Sequence, residues 1–273
     1  MSSWLHNPAT LVALAVLAWW FLTGAVFWLC RQRRELFPLI LGIGVVAFAV
    51  SFVALTGSLT DTTPAGLMIG FLSGISIWAF QELTFYLGYV TGPRRHHCEP
   101  GCKGWRHFLH ALQASLYHEV SILLTFIVLL ALSWGAANQT ALYAFTLIWA
   151  MHQSARINVM LGVRNVNAEW LPGHLGYLSS FLKKAHPGTF FFISVGFIIL
   201  LFVVQLDLLA TLPLGSVQHN TVLLTASLTG LALIEHICLV LPVPLTALWS
   251  VFGAPSSEVA TSGANTRGRT HEL

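Results

Sequence analysis

Apolar runs alternate with short polar connections along the whole chain. A window of about 19 residues places seven such runs at about 9–30, 37–57, 65–91, 107–134, 139–161, 188–210 and 221–250, each near the ~20 residues that cross a bilayer core. The pattern predicts an all-α fold, a polytopic membrane bundle of seven transmembrane helices occupying residues 1–253. Between the fifth and sixth runs, residues 164–187 are too polar to cross. Their apolar positions Trp170, Leu171, Leu175, Leu178 and Leu182 suit a short helix on the membrane interface. This segment is expected to serve as a surface flap, or as a lid or docking surface. The Ser-, Gly- and Thr-rich tail from 254 to 273 is expected to be disordered.

Composition excludes a soluble globule. With 56% hydrophobic and 8% charged residues and a mean hydropathy of +0.74, there is too little polar surface to cover one. All 13 Lys and Arg fall on one set of connections or in the tail. Arg31, Arg33 and Arg34 follow the first run, Arg94, Arg95, Lys103 and Arg106 lie between the third and fourth, and Arg156, Arg164, Lys183 and Lys184 mark the end of the fifth and beyond. The opposite connections, with Asp61, Asn138 and Asp207, carry none. Positive charge is retained on the cytoplasmic side, so the N-terminus is expected outside and the C-terminus in the cytoplasm. Topology therefore accounts for the net charge of +3 without nucleic acid, and a basic inner face could attract anionic lipid headgroups. The first run has no basic n-region or small-residue cleavage site and is expected to remain as a span.

Within the runs a few residues carry chemistry. Pro38 opens the second helix, where its missing N–H costs nothing. Trp4, Trp19, Trp20 and Trp28 fit an aromatic belt at the interface. Gly66, Gly70 and Gly74 form a doubled small-xxx-small pattern that lets another helix approach closely. Glu82, Tyr86 and Tyr89 share one face of the third helix, with Glu82 ~13 Å from its inner end. At that depth a carboxylate needs a partner.

The connection HHCEPGC holds Cys98 and Cys102 beside His96, His97 and His107. A C-x3-C pair without a second paired half is a weak zinc pattern, so a solvated loop with reduced thiols is expected. On the fourth helix, His107, His110 and His118 fall on one face, with Glu119 beside it near mid-membrane. The fifth run places His152 and Arg156 one turn apart, with Asn158 toward the inner surface. The sixth is plain hydrophobe. In the seventh, adjacent Glu235 and His236 fall near mid-membrane, and Pro242 and Pro244 kink or end the helix.

Glu82, His118, Glu119, Glu235 and His236 are thus the candidate polar centre, with His107, His110, His152, Tyr86, Arg156 and Asn158 as weaker members. Carboxylates and imidazoles on facing helices can hold a divalent metal ion, and histidine can also ligate the magnesium of bacteriochlorophyll. The Glu-x-x-His spacing of dimetal bundles is missing, and adjacent residues point about 100° apart, so both members of a pair cannot readily bind one ion. Such residues can also act only as glue between helices.

The segments QELTFYLGYVTGPRR, LYHE, SARINVMLGVRN and LPGHLGYL together resemble the PuhE family of photosynthetic-complex assembly proteins of purple and related phototrophic bacteria. The similarity covers roughly residues 10 to 250. It implies a seven-span protein of the bacterial inner or intracytoplasmic membrane. Its implied partners are reaction-centre or antenna subunits or pigment-synthesis proteins, with the lipid bilayer around it and no nucleic acid. It implies no catalytic residues. Two function classes follow: an assembly factor that binds pigment or an assembling subunit, and an integral membrane metal-dependent enzyme acting on a lipophilic tetrapyrrole or isoprenoid.

Overall fold

The structure, a computed structural model, describes residues 3–166, 168 and 171–241. Seven α-helices account for most of them: α1 (Pro8–Leu29), α2 (Phe37–Ser58), α3 (Pro64–Tyr86), α4 (Gly104–Ser133), α5 (Thr140–Leu161), α6 (Thr189–Thr211) and α7 (Val217–Cys238). Six of these, all but α5, are long and apolar enough to cross a membrane. Among the described residues there is no strand, only an isolated bridge between Val163 and Lys184.

Local chemistry explains the boundaries. Pro8, Pro38 and Pro64 each sit in the first turn of a helix, where no N–H is needed. Side chains of Asn7, Thr63 and Ser216 accept the free N–H groups of Ala9, Gly66 and His219. The third helix stops five residues short of the expected 91. Gly88 takes φ 84°, and the Leu87 N–H still reaches the Leu83 carbonyl while the chain turns away. Pro242, Pro244, Trp170 and the tail lie outside the described residues.

Helix α3 is the hub, packed against α1, α2 and α5 and more lightly against α4 and α7. Hydrocarbon tails are as apolar as leucine, so close packing and hydrogen bonds between helices hold such a bundle together. The glycines supply the first. A β-carbon on Gly70 would lie 2.5 Å from the Thr140 hydroxyl, and one on Gly74 2.5 Å from the Ala141 carbonyl. The partner of this small-residue face is thus α5. Asn138 supplies the second: its side-chain N–H groups reach the carbonyls of Ser58, Asp61 and Gly66 at 2.9 to 3.1 Å. It ties two loops and the start of α3 into one end of the bundle. Outer faces of α2 and α6, such as Val46, Val53, Ile193 and Phe197, are exposed hydrocarbon suited to lipid.

At the other end, the expected short helix is a 3₁₀ helix over Gly173–Phe181. Leu175, Tyr177 and Phe181 are buried against Ala111 and Ala114 of α4. The segment is a flap seated on the base of that helix.

Candidate functional site: an acid and imidazole cluster beside a cavity

Three helices meet through Glu82 of α3, His118 of α4 and His152 of α5. Glu82 Oε1 lies 3.5 Å from His118 Nε2 and 3.8 Å from His152 Nε2, and the three ligand atoms lie within 4.8 Å of one another. The backbone holds His118 in place by an unusual route: its N–H donates at 3.0 Å to the carbonyl of Thr91, in the connection that leaves α3 and runs back along α4. Gly92 permits that approach, because a β-carbon there would fall 2.0 Å from the Gln113 carbonyl. Around the cluster, the Phe85 ring is centred 4.6 Å from His118 and Trp78 meets His152 edge-on at 5.2 Å.

His118 is 1% exposed, yet neither of its ring nitrogens makes a hydrogen bond among the described residues, and neither does Glu82 Oε1. Buried polar atoms are ordinarily paired, since leaving them bare costs about 1–3 kcal/mol each. The cluster is therefore brought together without being closed upon itself. A carboxylate and two imidazoles offer a mixed O and N donor set, of the kind that holds iron, manganese or zinc.

Glu82 and His152 also open onto a cavity of about 290 Å³ between α1, α3, α5 and α7. Trp19, Phe27, Ile148 and Leu228 make its walls mostly apolar, and Tyr86 and Glu235 add polar groups. Among the described residues no hydrogen bond or ion pair reaches the Glu235 carboxylate, although its backbone carbonyl accepts from the Leu239 N–H at 3.2 Å. A greasy pocket with polar groups at a few points is the usual form of a ligand site, and this volume stands at the small end of that class. It suits a slender chain or a small head group better than a whole tetrapyrrole.

The remaining candidates are not part of one centre. Glu119 accepts from Arg156 and from Gln153, both on α5, and Arg156 also donates to the Ser115 hydroxyl at 2.7 Å. His236 is fully buried with both ring nitrogens engaged, Nδ1 donating to the Ala232 carbonyl at 2.8 Å and Nε2 accepting from the Ser154 hydroxyl at 2.9 Å. Asn158 donates to the Ser154 carbonyl and to Ser194 of α6. These three are glue between helices. The expected single volume fails because neighbours on a helix diverge by about 100°, which sends His118 to α3 and Glu119 to α5, and His236 to α5 while Glu235 faces the cavity.

His107 lies beside the cysteine loop, as the sequence placed it, and His110 joins it there. They share a face with His118 but lie in the first two turns of α4, about 16 and 12 Å from it along the axis. There they meet the cysteine loop, so Cys98 and Cys102 are half-buried rather than simply solvated. Tyr86 stands between the two regions, its side chain on the cavity and its carbonyl accepting from His174 Nε2 of the flap at 2.9 Å. Burial holds the His174 imidazole below the ordinary histidine range, partly offset by that bond.

Sequence reasoning missed several partners. Gln81 bridges α3 to α4, donating to Thr125 at 2.8 Å and accepting from Ser121 at 2.7 Å. Ser121 and Thr125, one turn apart in an apolar helix, are the signal that points to it. Trp19 and Trp78 line the cavity, and nothing in the sequence separates Trp19 from the interfacial tryptophans.

Residues 5–259 match the family described as protein of unknown function DUF3623. The chain belongs to the DUF3623 family. It is 31% identical over 251 residues to a Rhodobacter capsulatus protein described as an uncharacterized 30.4 kDa protein in the puhA 5′ region, with 90% of this chain and 91% of that one aligned. No solved structure matches. This DUF3623 protein is thus similar, over about nine-tenths of its length, to a protein of the puhA 5′ region.

Proposed function

We propose that the protein is a PuhE-type assembly factor, acting within the bacterial cytoplasmic or intracytoplasmic membrane on reaction-centre and light-harvesting complexes or on bacteriochlorophyll supply. The observation that carries this reading is the full-length similarity to the puhA-region protein. In this reading all seven helices span. α5 crosses despite its polar residues, because Asn158, Ser154 and Arg156 are spoken for by α4, α6 and α7. The cationic connections face the cytoplasm, with the N-terminus outside, and a reporter fused after Arg34 reads cytoplasmic.

The cavity is the working part of this proposal. It receives the slender or apolar portion of a lipophilic ligand, while Glu82, His152 and Glu235 meet its polar end. An in-frame deletion strain should show reduced reaction-centre and antenna absorbance with unchanged transcripts. Normal pigment and complex levels in that strain would remove the proposal.

One observation favours a second reading, a metal-dependent enzyme acting on a lipophilic tetrapyrrole or isoprenoid. It is the convergence of Glu82, His118 and His152, where Glu82 Oε1 and both ring nitrogens of His118 are buried without a hydrogen bond among the described residues. These residues would hold a divalent ion, which would supply Lewis-acid or redox chemistry beside the cavity. Purified protein carrying iron or manganese that Glu82→Gln removes would move the assignment to this class.

A further inference from the structure

Cys98, Cys102 and His107 converge where the α3–α4 connection meets the base of α4, and His110 reaches both sulfurs from the same helix. Cys98 Sγ, Cys102 Sγ and a ring nitrogen of His107 lie within 4.8 Å of one another. His107 Nδ1 is 3.3 Å from Cys98 Sγ, and His110 Nδ1 is 3.5 Å from Cys98 Sγ and 3.4 Å from Cys102 Sγ. We infer that Cys98, Cys102, His107 and His110 form a zinc site that fastens this connection to α4.

The distances decide between a metal site and a chance group of thiols. With Zn–S of about 2.3 Å and Zn–N of about 2.0–2.1 Å, two unlike ligands on a tetrahedron stand about 3.5 Å apart. The three sulfur–nitrogen separations fall within a few tenths of an ångström of that edge. Hydrogen bonding alone explains them less well. A neutral imidazole has one N–H in total, yet His110 Nδ1 faces two sulfurs, and Cys98 Sγ faces two imidazoles.

The backbone is shaped to present these groups. Glu99, Pro100, Gly101 and Cys102 make a tight turn closed by the Cys102 N–H on the Glu99 carbonyl at 3.1 Å, with Gly101 at φ 80°. Proline second and a positive-φ glycine third is the type II pattern, and it swings the second cysteine back under the first. Gly104, at φ 61°, then starts α4 in the direction that brings in the histidines. His107 and His110 are three residues apart and share one side of the helix. The pattern is therefore C-x3-C-x4-H-x2-H, whose second half is a histidine pair on a helix.

Charge fits as well. Arg94, Arg95, Lys103 and Arg106 surround the loop and would repel an added cation, but two thiolates with Zn²⁺ form a neutral unit. Thiolate and imidazole donors in a tetrahedral set select zinc among common divalent ions. All four positions are filled by protein, the closed form of structural zinc rather than an open catalytic one. The site also reaches the flap, since the Cys98 N–H donates to Ser180 at 2.9 Å and the His107 ring meets Phe181 at a tilt, 5.6 Å between centroids.

The test uses the full chain purified in mild detergent without chelator. Metal analysis should find one zinc per chain that C98S/C102S and H107A/H110A lose, while H96A/H97A and Glu82→Gln keep it. Cobalt exchanged into the site should give a thiolate charge-transfer band that the cysteine variants abolish. Should a ligand variant fail to accumulate, the wild type decides: zinc should protect Cys98 and Cys102 from alkylation at least tenfold, with phenanthroline removing the protection. A protein that takes up no zinc, zinc retained in C98S/C102S, or a Cys98–Cys102 disulfide in freshly isolated membranes would overturn the site.

Discussion

The ion pair between Glu119 and Arg156 offers a quantitative test of how the polar residues divide. Glu119→Gln keeps the side-chain shape and its contact with Gln153 but leaves the Arg156 guanidinium with only the Ser115 hydroxyl. Breaking one partner of a fully buried pair costs about 3–5 kcal/mol. Here Ser115 still accepts from the guanidinium and Gln153 still binds the substituted side chain, so the expected cost is about 2–3 kcal/mol. Arg156→Met strands the carboxylate and should cost about the same. The double variant strands neither charge and should lose only about 2 kcal/mol, giving a coupling of about 3 kcal/mol. Reversible unfolding in mixed micelles, followed by the fluorescence of the ten tryptophans, measures all three. Losses that simply add, within about 0.5 kcal/mol, would show that the pair contributes no specific glue.

Two further outcomes probe the framework. Gly74→Val should disrupt the contact of α3 with α5, because even its first carbon meets the Ala141 backbone at 2.5 Å. A loss of about 3 kcal/mol in the same assay is expected, and a neutral effect would contradict the packing. For the flap, a depressed His174 pKa means that the folded state favours the neutral ring. Its contribution is then full above the unfolded value of about 6.5 and is lost as pH falls through the lower folded value. Amide exchange across residues 173–181, corrected for intrinsic rate, should quicken on acidification, and His174→Gln should abolish that dependence while keeping an N–H for the Tyr86 carbonyl.

Much of the helical framework was legible because the bilayer imposes a length of about 20 apolar residues, which composition alone reveals. The close approach at Gly70 and Gly74 was legible too, since small residues four apart have one structural use in an apolar helix. The site was less so. Angular position can be read from a sequence, and it placed His107, His110 and His118 together, but depth along α4 separates them into two sites. Cross-helix partners such as Arg156 for Glu119 and Ser154 for His236 depend on rotation of one helix against another, which no single run records. At the cysteine loop the metal pattern read as weak because a second cysteine pair was the half being sought, although His107 already stood beside the thiols.

In the proposed function, the Glu82 cluster and its cavity, rather than the glue around them, carry the role in photosynthetic assembly. Complementation of the deletion strain with Glu82→Gln tests it most directly, read as reaction-centre and antenna absorbance at matched levels of the inserted protein. Wild type should restore the complexes and Glu82→Gln should leave them near the deletion level, because the charge is lost while shape and insertion are kept. Full restoration by Glu82→Gln would rule out that role and make the cluster one more piece of helix packing.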